Sequence, residues 1–133
     1  MVNRRSGQAV LWTAIITVFG LVVRRAPLHL PLFVSKYGGS ILWGAMVYAI
    51  FVAIAPNRRP VEIGVAASLF ALAVELFKLV HMPALDNFRV TLAGQLLIGR
   101  VFSYADIFAY WLAIAVFAAV DNATLSRANR ISA

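Results

Sequence analysis

Long apolar runs separated by short polar stretches make up most of the sequence. A helix needs about 20 mainly apolar residues to cross the hydrocarbon core of a bilayer. The runs predict four membrane spans, at residues 9–23, 40–55, 61–80 and 104–120. We therefore expect an all-α polytopic transmembrane bundle of about four helices, forming one domain over residues 1–133.

The connectors contain the residues that interrupt helices. Pro27 and Pro31 separate the first two runs, and Ser40 after a glycine pair is a candidate N-cap for the second helix. The stretch 56–60 is short and begins and ends with proline, so the second and third helices should be antiparallel neighbours. Pro60 suits the first position of the third helix.

The stretch 88–102 differs from the four runs because polar residues are scattered among its apolar ones. It is too polar to span a membrane comfortably, and Gly94 and Gly99 lower its helix propensity. This pattern predicts a short amphipathic or partly re-entrant helix before the last span. Ser103 is then the expected N-cap of the last helix.

The composition agrees with a membrane protein. Hydrophobic residues make up 62% of the chain and charged residues 13%, against about 45–50% and 25% in soluble domains. The net charge is +7, and most basic residues stand in pairs at the ends of apolar runs: Arg4-Arg5, Arg24-Arg25 and Arg58-Arg59. These are positions where basic side chains meet lipid headgroups, so the expected partners are membrane lipids and not nucleic acid.

Several classes of chemistry lack their usual residues. The chain has no cysteine, so disulfides, thiolate metal sites and cysteine nucleophiles are excluded. His29 and His81 lie in connectors, without metal-ligand spacing to the scattered carboxylates. No phosphate-binding loop and no Gly-x-Ser-x-Gly motif is present. We predict no catalytic residues, no metal and no cofactor, and favour a protein that is not an enzyme.

One apolar run carries charges where charges are costly. Glu75 and Lys78 stand one helical turn apart near the end of the third run. An ionised side chain at the bilayer centre costs about 2.5–3.5 kcal/mol on insertion scales, so it usually faces protein or water and has a partner. We expect a polar intramembrane cluster at one membrane face, formed by Glu75, Lys78, Arg89, Arg100, Asp106 and Tyr110.

Three interpretations of this cluster are open. In the first, Glu75 pairs with Arg89 or Arg100 and holds the loop against the bundle. In the second, the cluster lines a pocket for a polar ligand, a headgroup or a proton. In the third, Glu75 and Lys78 only extend to the interface.

The stretch from Glu75-x-x-Lys78 through Arg89 to the sequence LIGRVFSYADIFAY, which ends at Tyr110, resembles the DUF2809 family, small bacterial four-helix membrane proteins of unknown function. The stretch 37–43 is similar to the Gly-Asp-x-Leu segment of that family. A looser similarity links the order of Glu, Arg and Asp to VanZ-like proteins, which are associated with glycopeptide-antibiotic resistance. The resemblance implies a fold and a polar cluster, but no reaction.

Two positions depart from the family pattern. Ser40 stands where the family usually has Asp, and Lys78 stands where it often has Gln. If that Asp is essential to an activity, this chain lacks it. Alternatively, the charge of Lys78 changes the balance of the cluster.

Two functions remain open at this stage. The first is a non-catalytic accessory or assembly subunit that packs against a larger membrane complex. The second is a VanZ-like membrane protein with a polar pocket for a lipid or cell-envelope ligand. The bacterial resemblance points to the cytoplasmic (inner) membrane.

The distribution of basic residues favours a multi-pass protein with cytoplasmic termini. Four spans place both termini on one side, with Arg4, Arg5, Arg58, Arg59, Arg127 and Arg130. The opposite side carries Arg24, Arg25 and Lys36 once the basic residues of the cluster are set aside. Basic residues accumulate on the cytoplasmic side of membrane proteins.

Overall fold

Six α-helices form the structure, which is a computed structural model describing residues 4–25, 29, 31–99 and 101–132. Over these residues there is no β-strand, and the predicted all-α fold class is confirmed. The helices are α1 (Arg4–Arg25), α2 (Leu32–Ile54), α3 (Pro60–Phe77), α4 (Pro83–Arg89), α5 (Leu92–Leu97) and α6 (Tyr104–Ser132). Four of them, α1, α2, α3 and α6, are long and apolar enough to cross a membrane.

The helix α2 lies at the centre of the bundle. It packs against α1 on one side and against α3 and α6 on the other, and α3 also packs against α6. The short helices α4 and α5 connect α3 to α6 and contact each other. This arrangement brings the end of α3, the α4–α5 connection and the start of α6 to the same end of the bundle.

Small residues allow the long helices to approach closely. A Cβ at Gly44 of α2 would lie 2.9 Å from the Tyr110 backbone of α6, so this crossing requires glycine. Ala67 and Ala71 of α3 are fully buried, beside Ile114 of α6. Small residues at helix interfaces are typical of membrane bundles, where van der Waals packing supports association.

The outer surface of the bundle is strongly apolar. Large hydrophobic side chains such as Phe19 of α1, Leu69 of α3 and Phe108 of α6 are more than half exposed. A soluble protein rarely leaves such extended apolar surface uncovered. The chain is thus a small helical protein of membrane type.

The second helix begins earlier than its sequence predicts. We expected Ser40 to be its N-cap, but α2 begins at Leu32 and Ser40 lies inside the helix, so that expectation is wrong. Each glycine of the pair Gly38 and Gly39 lowers helix stability by about 1 kcal/mol. This is too little to end a helix that packs against three neighbours.

The other boundaries are mixed in outcome. Pro60 is the first residue of α3, and Ser103 caps α6 by accepting a hydrogen bond from the Asp106 backbone N–H at 3.4 Å, both as predicted. The helix α3 ends at Phe77 and not at Val80, and α6 continues to Ser132. The single short helix expected over 88–102 is replaced by parts of α4 and α5.

Candidate functional site

Glu75 is fully buried at the end of α3 and has three partners. Its Oε2 lies 2.6 Å from Lys78 Nζ and accepts a hydrogen bond from the Tyr110 hydroxyl at 3.1 Å. Its Oε1 accepts one from the Ser103 backbone N–H at 2.7 Å. We call Glu75, Lys78, Ser103 and Tyr110 the Glu75 cluster. Because these partners neutralise and solvate the carboxylate, the acid can remain in an apolar bundle.

Lys78 reaches Glu75 across the last turn of α3, and it is nearly as buried as its partner. Its Nζ also donates to the Tyr110 hydroxyl at 3.3 Å. Gly99 lies against this side chain: a Cβ there would be 2.8 Å from Lys78 Cε, and Gly99 has a φ of 80°. The backbone conformation favours glycine at this position, and a Cβ would also force the end of the Lys78 side chain to shift.

The expected pairing of Glu75 with Arg89 is wrong. Arg89 is buried, but it donates to the carbonyl oxygens of Phe77 and Val80, each at 2.8 Å, and to Asp86 at 3.1 Å. Carbonyl groups at the end of a helix have no partner within it, and an arginine can bind them. Arg89 therefore closes the C-terminal end of α3. The alternative partner of Glu75, Arg100, lies outside the described residues.

The third interpretation, in which Glu75 and Lys78 extend to the interface, is also wrong. The Glu75 side chain is 0% exposed and the Lys78 side chain is 5% exposed. The partner that the sequence analysis sought in a later segment is the lysine one turn away. Lys78 had been considered as a member of the cluster, but not as the ion-pair partner of Glu75.

Asp106 lies in the first turn of α6, one helical turn before Tyr110. Its Oδ1 accepts a hydrogen bond at 2.8 Å from Ser40 of α2. Tyr110 in turn packs against Trp43 of α2, with ring centroids 4.6 Å apart. Ser40 therefore places a hydroxyl donor opposite Asp106.

A cavity of about 760 Å³ adjoins these groups. Lys78, Asp106, Tyr110 and Ser40 line it together with Trp43. The remaining described lining is mainly apolar and comes from α1, α2, and the stretch from α5 to residue 101: Ile16, Thr17, Gly20, Val23, Gly39, Leu42, Met46, Ala93, Gln95, Leu97, Ile98, Gly99 and Val101. One wall of the cavity is thus polar, while the walls toward α1 and α2 are largely apolar.

Of the six residues predicted to form the polar cluster, the structure brings four together. Glu75, Lys78 and Tyr110 are joined by an ion pair and hydrogen bonds, and Asp106 lines the same cavity as Lys78 and Tyr110. Arg89 is held apart by its own partners. A ligand-binding role for these residues stays a prediction at this point.

A second charged cluster lies at the opposite end of the bundle, and the sequence analysis did not identify it. Arg5 of α1 and Asp121 of α6 form a salt bridge of 2.5 Å, and the Tyr48 hydroxyl of α2 donates to Asp121 at 2.7 Å. Arg5 also donates to the carbonyl oxygens of Pro56 and Arg58. We call Arg5, Tyr48 and Asp121 the Arg5 cluster. It ties α1 and α6 to the α2–α3 turn.

The signal for the Arg5 cluster was present in the topology. An even number of spans places the residue before the first helix and the residue after the last on the same side of the membrane. Arg5 and Asp121 occupy these two positions relative to the predicted spans. Basic residues at span ends also suit headgroup anchors, so the sequence alone does not single out this pairing.

The family model for DUF2809, described as a protein of unknown function, matches residues 29–114 of the chain. The chain belongs to the DUF2809 family. The predicted resemblance is therefore confirmed, whereas the looser similarity to VanZ-like proteins stays a prediction. No solved structure matches the chain.

The DUF2809 match covers all of the Glu75 cluster but only Tyr48 of the Arg5 cluster. Glu75, Lys78 and Tyr110 lie inside the matched residues, as does Asp106. Arg5 and Asp121 lie outside them. The cavity and its polar wall thus fall mainly within the family portion of the chain, and the α1 wall does not.

Proposed function

We propose that this DUF2809 protein binds an amphiphilic ligand, a lipid or a lipid-linked cell-envelope compound, in the cavity beside the Glu75 cluster. The observation that supports this most is that Asp106 lines a cavity together with Lys78 and Tyr110, which bind each other and Glu75 behind that wall. Ligand pockets commonly combine a largely apolar lining with a few polar groups that fix the orientation of the ligand.

The apolar walls support a ligand with a hydrocarbon portion. Ile16 of α1 and Leu42 and Met46 of α2 line the cavity on the side away from the charges. Both helices are candidate membrane spans. The hydrocarbon chain of a ligand that lies against these side chains would move from the bilayer into surroundings of similar polarity, so it need not lose favourable solvation.

The polar wall supports a ligand with a hydrophilic head. The Lys78 ammonium has three N–H donors, and its described contacts with Glu75 and Tyr110 use two of them. Asp106 accepts from Ser40 through one oxygen and retains acceptor capacity on the other. A head with both donors and acceptors complements this wall.

Native mass spectrometry of the full chain, purified in mild detergent, tests the proposal with a pair of glycine variants. Gly39 lines the cavity and Gly38 does not. A Cβ at either position meets no described atom within 4 Å, so both tolerate a side chain. Gly39→Leu should reduce the fraction of protein with bound lipid about tenfold, and Gly38→Leu should leave it unchanged.

Equal lipid retention by the wild type and both variants would contradict the proposal. The same preparation examines the first expectation from the sequence, a subunit of a larger membrane complex, which stays a prediction. A stoichiometric protein complex in the wild-type preparation, with no bound lipid, would favour that function over ligand binding.

For location we infer the cytoplasmic membrane of a bacterium, with both termini in the cytoplasm. The twelve basic residues divide evenly between the two sides of the four candidate spans, and the support is the bias toward the terminal side, six against three, once Lys78, Arg89 and Arg100 of the expected cluster are set aside. The chain has no cysteine, so single cysteines can report sidedness without background. Cysteines at Asn57 and Ser126 should resist a membrane-impermeant thiol reagent in intact cells, and a cysteine at Asn87 should react.

A further inference from the structure

We propose that the head of the bound amphiphile carries an ammonium group, which Asp106 binds with the help of the aromatic wall. This inference rests on the proposed function, because it assigns the chemistry of the ligand in the same cavity. It is drawn from the charges, hydrogen bonds and aromatic rings that the described residues present there.

The two charged residues in the polar wall, Lys78 and Asp106, differ in whether the described residues provide a counter-ion. Lys78 is compensated by Glu75, which lies behind it and does not line the cavity. Asp106 has Ser40 as its one hydrogen-bonding partner among the described side chains, and Ser40 carries no charge. A carboxylate beside largely apolar walls binds a cation more strongly than in water, since less solvent competes for it.

The aromatic rings favour the same kind of group. Trp43 and Tyr110 pack against each other and both line the cavity. The Lys78 ammonium already lies over the Tyr110 ring, 5.9 Å from its centroid, so the aromatic attraction for a second cation comes from Trp43. Desolvation strengthens such an attraction to about 2 kcal/mol. The Asp106 carboxylate and the Trp43 ring in one wall suit an organic cation, and the carboxylate disfavours an anionic head.

The apolar lining indicates how this cation is carried. A free amine would occupy the polar wall and leave the surfaces of Ile16, Leu42 and Met46 without a ligand. An ammonium-bearing phospholipid can contact both the polar wall and the apolar lining. Its phosphate can accept a hydrogen bond from the remaining Lys78 N–H. Phosphatidylethanolamine is the simplest probe of this chemistry, and phosphatidylglycerol with the same acyl chains is its anionic counterpart.

The experiment measures both lipids on the detergent-purified full chain by native mass spectrometry. The wild type should bind phosphatidylethanolamine about tenfold more tightly than phosphatidylglycerol. Asp106→Asn keeps an acceptor for Ser40 and removes the charge, so the preference should fall to within about twofold. Glu62→Gln is the matched control, because it removes an exposed carboxylate at the other end of α3, and it should keep the preference.

Equal affinity of the wild type for the two lipids would overturn the inference, and so would a preference that survives Asp106→Asn. These outcomes differ from failure of the proposed function, in which neither lipid binds. Soluble glycerophosphoethanolamine distinguishes the source of the ammonium group. Its failure to displace the lipid supports a lipid ligand, and displacement at equal concentration supports the ammonium site with a free amine as its ligand.

Arg100 enters this test as a variable because it lies outside the described residues and is near Asp106 in sequence. Arg100→Gln is therefore measured beside the wild type. The proposal predicts the same preference for phosphatidylethanolamine in both. A preference that exists only in Arg100→Gln would overturn it, because Asp106 would then already have a cationic partner in the wild type.

Discussion

The two ends of the bundle contain the same three kinds of group in different surroundings. At one end an acid, a base and a tyrosine are Glu75, Lys78 and Tyr110, and at the other they are Asp121, Arg5 and Tyr48. The first acid and base are 0% and 5% exposed, whereas the second are 18% and 15% exposed. Each cluster borders a cavity, of about 760 Å³ at the Glu75 cluster and about 410 Å³ at the Arg5 cluster, and among the described residues only the larger one is lined by an additional carboxylate, Asp106.

The comparison teaches that similar groups can serve different purposes. The Arg5 cluster joins α1, α2, α6 and the α2–α3 turn. Its role is accounted for by these contacts, which hold together parts of the chain that are distant in sequence. The Glu75 cluster pairs residues one helical turn apart, so its ion pair adds little to the connection between helices. The proposal of a ligand rests instead on the Lys78 ammonium and the Asp106 carboxylate in the wall of the larger cavity.

Removal of one partner of the buried pair should have the largest effect. Glu75→Ala leaves the Lys78 ammonium buried without its counter-ion, and we expect a loss of about 3–5 kcal/mol in the free energy of unfolding. Unfolding in mixed detergent micelles measures this loss.

A double variant provides the control for that experiment. Glu75→Gln with Lys78→Met removes both charges, the amide oxygen can accept from the Ser103 N–H, and the amide NH2 can donate to the Tyr110 hydroxyl, so most of the stability should return. If the double variant is as unstable as Glu75→Ala, the loss comes from packing and not from a stranded charge.

A smaller effect is expected at the glycine that accommodates Lys78. Gly99→Ala places a Cβ 2.8 Å from Lys78 Cε at a φ of 80°, and it should cost about 1–3 kcal/mol in the same assay. Gly39→Ala, with no described atom within 4 Å of the new Cβ, should be neutral or stabilising. Equal results for the two alanines would show that Lys78 does not depend on Gly99.

Within the Arg5 cluster, substitution should cost less than within the Glu75 cluster. Asp121→Asn keeps the Tyr48 hydrogen bond and removes the ion pair with Arg5, which lies closer to solvent. We expect a loss of about 1 kcal/mol, as for ion pairs with access to water. A loss as large as that of Glu75→Ala would mean that burial does not account for the difference between the clusters.

Salt should produce the smallest effect and separate the clusters once more. Exposed ion pairs weaken at high ionic strength, and buried pairs are screened much less. The cost of Asp121→Asn should therefore fall in 1 M salt by a few tenths of a kcal/mol, while that of Glu75→Ala should not change. A salt-dependent cost for Glu75→Ala would argue that water reaches the buried pair.

Much of the fold follows from the sequence because hydrophobic runs and proline positions are local signals. Pro60 and Ser103 correctly marked helix starts. Ser40 did not, because its hydroxyl is used by Asp106, far away in the sequence, and the helix continues through it. The length of α2 depends on its packing against α1, α3 and α6, which local propensity does not contain.

The candidate site was predictable in its membership but not in its pairings. A charge inside an apolar run identified Glu75, and its neighbours along the chain suggested the rest. In the structure Lys78 forms an ion pair with Glu75, and Arg89 donates hydrogen bonds to the carbonyl groups of Phe77 and Val80. Which cation pairs with which acceptor depends on the turn after α3, and the cavity depends on the position of α1 relative to α5.

Labelling by a photoactivatable phospholipid tests the central claim most directly, since the ligand is proposed to lie in the cavity beside the Glu75 cluster, against side chains of α1 and α2. A lipid with a diazirine in its acyl chain is added at one molecule per protein in detergent, and the labelled residues are identified by mass spectrometry. We predict adducts concentrated at Ile16, Leu42 and Met46. Equal labelling of the outward-facing Leu69 and Phe108 would contradict binding in the cavity.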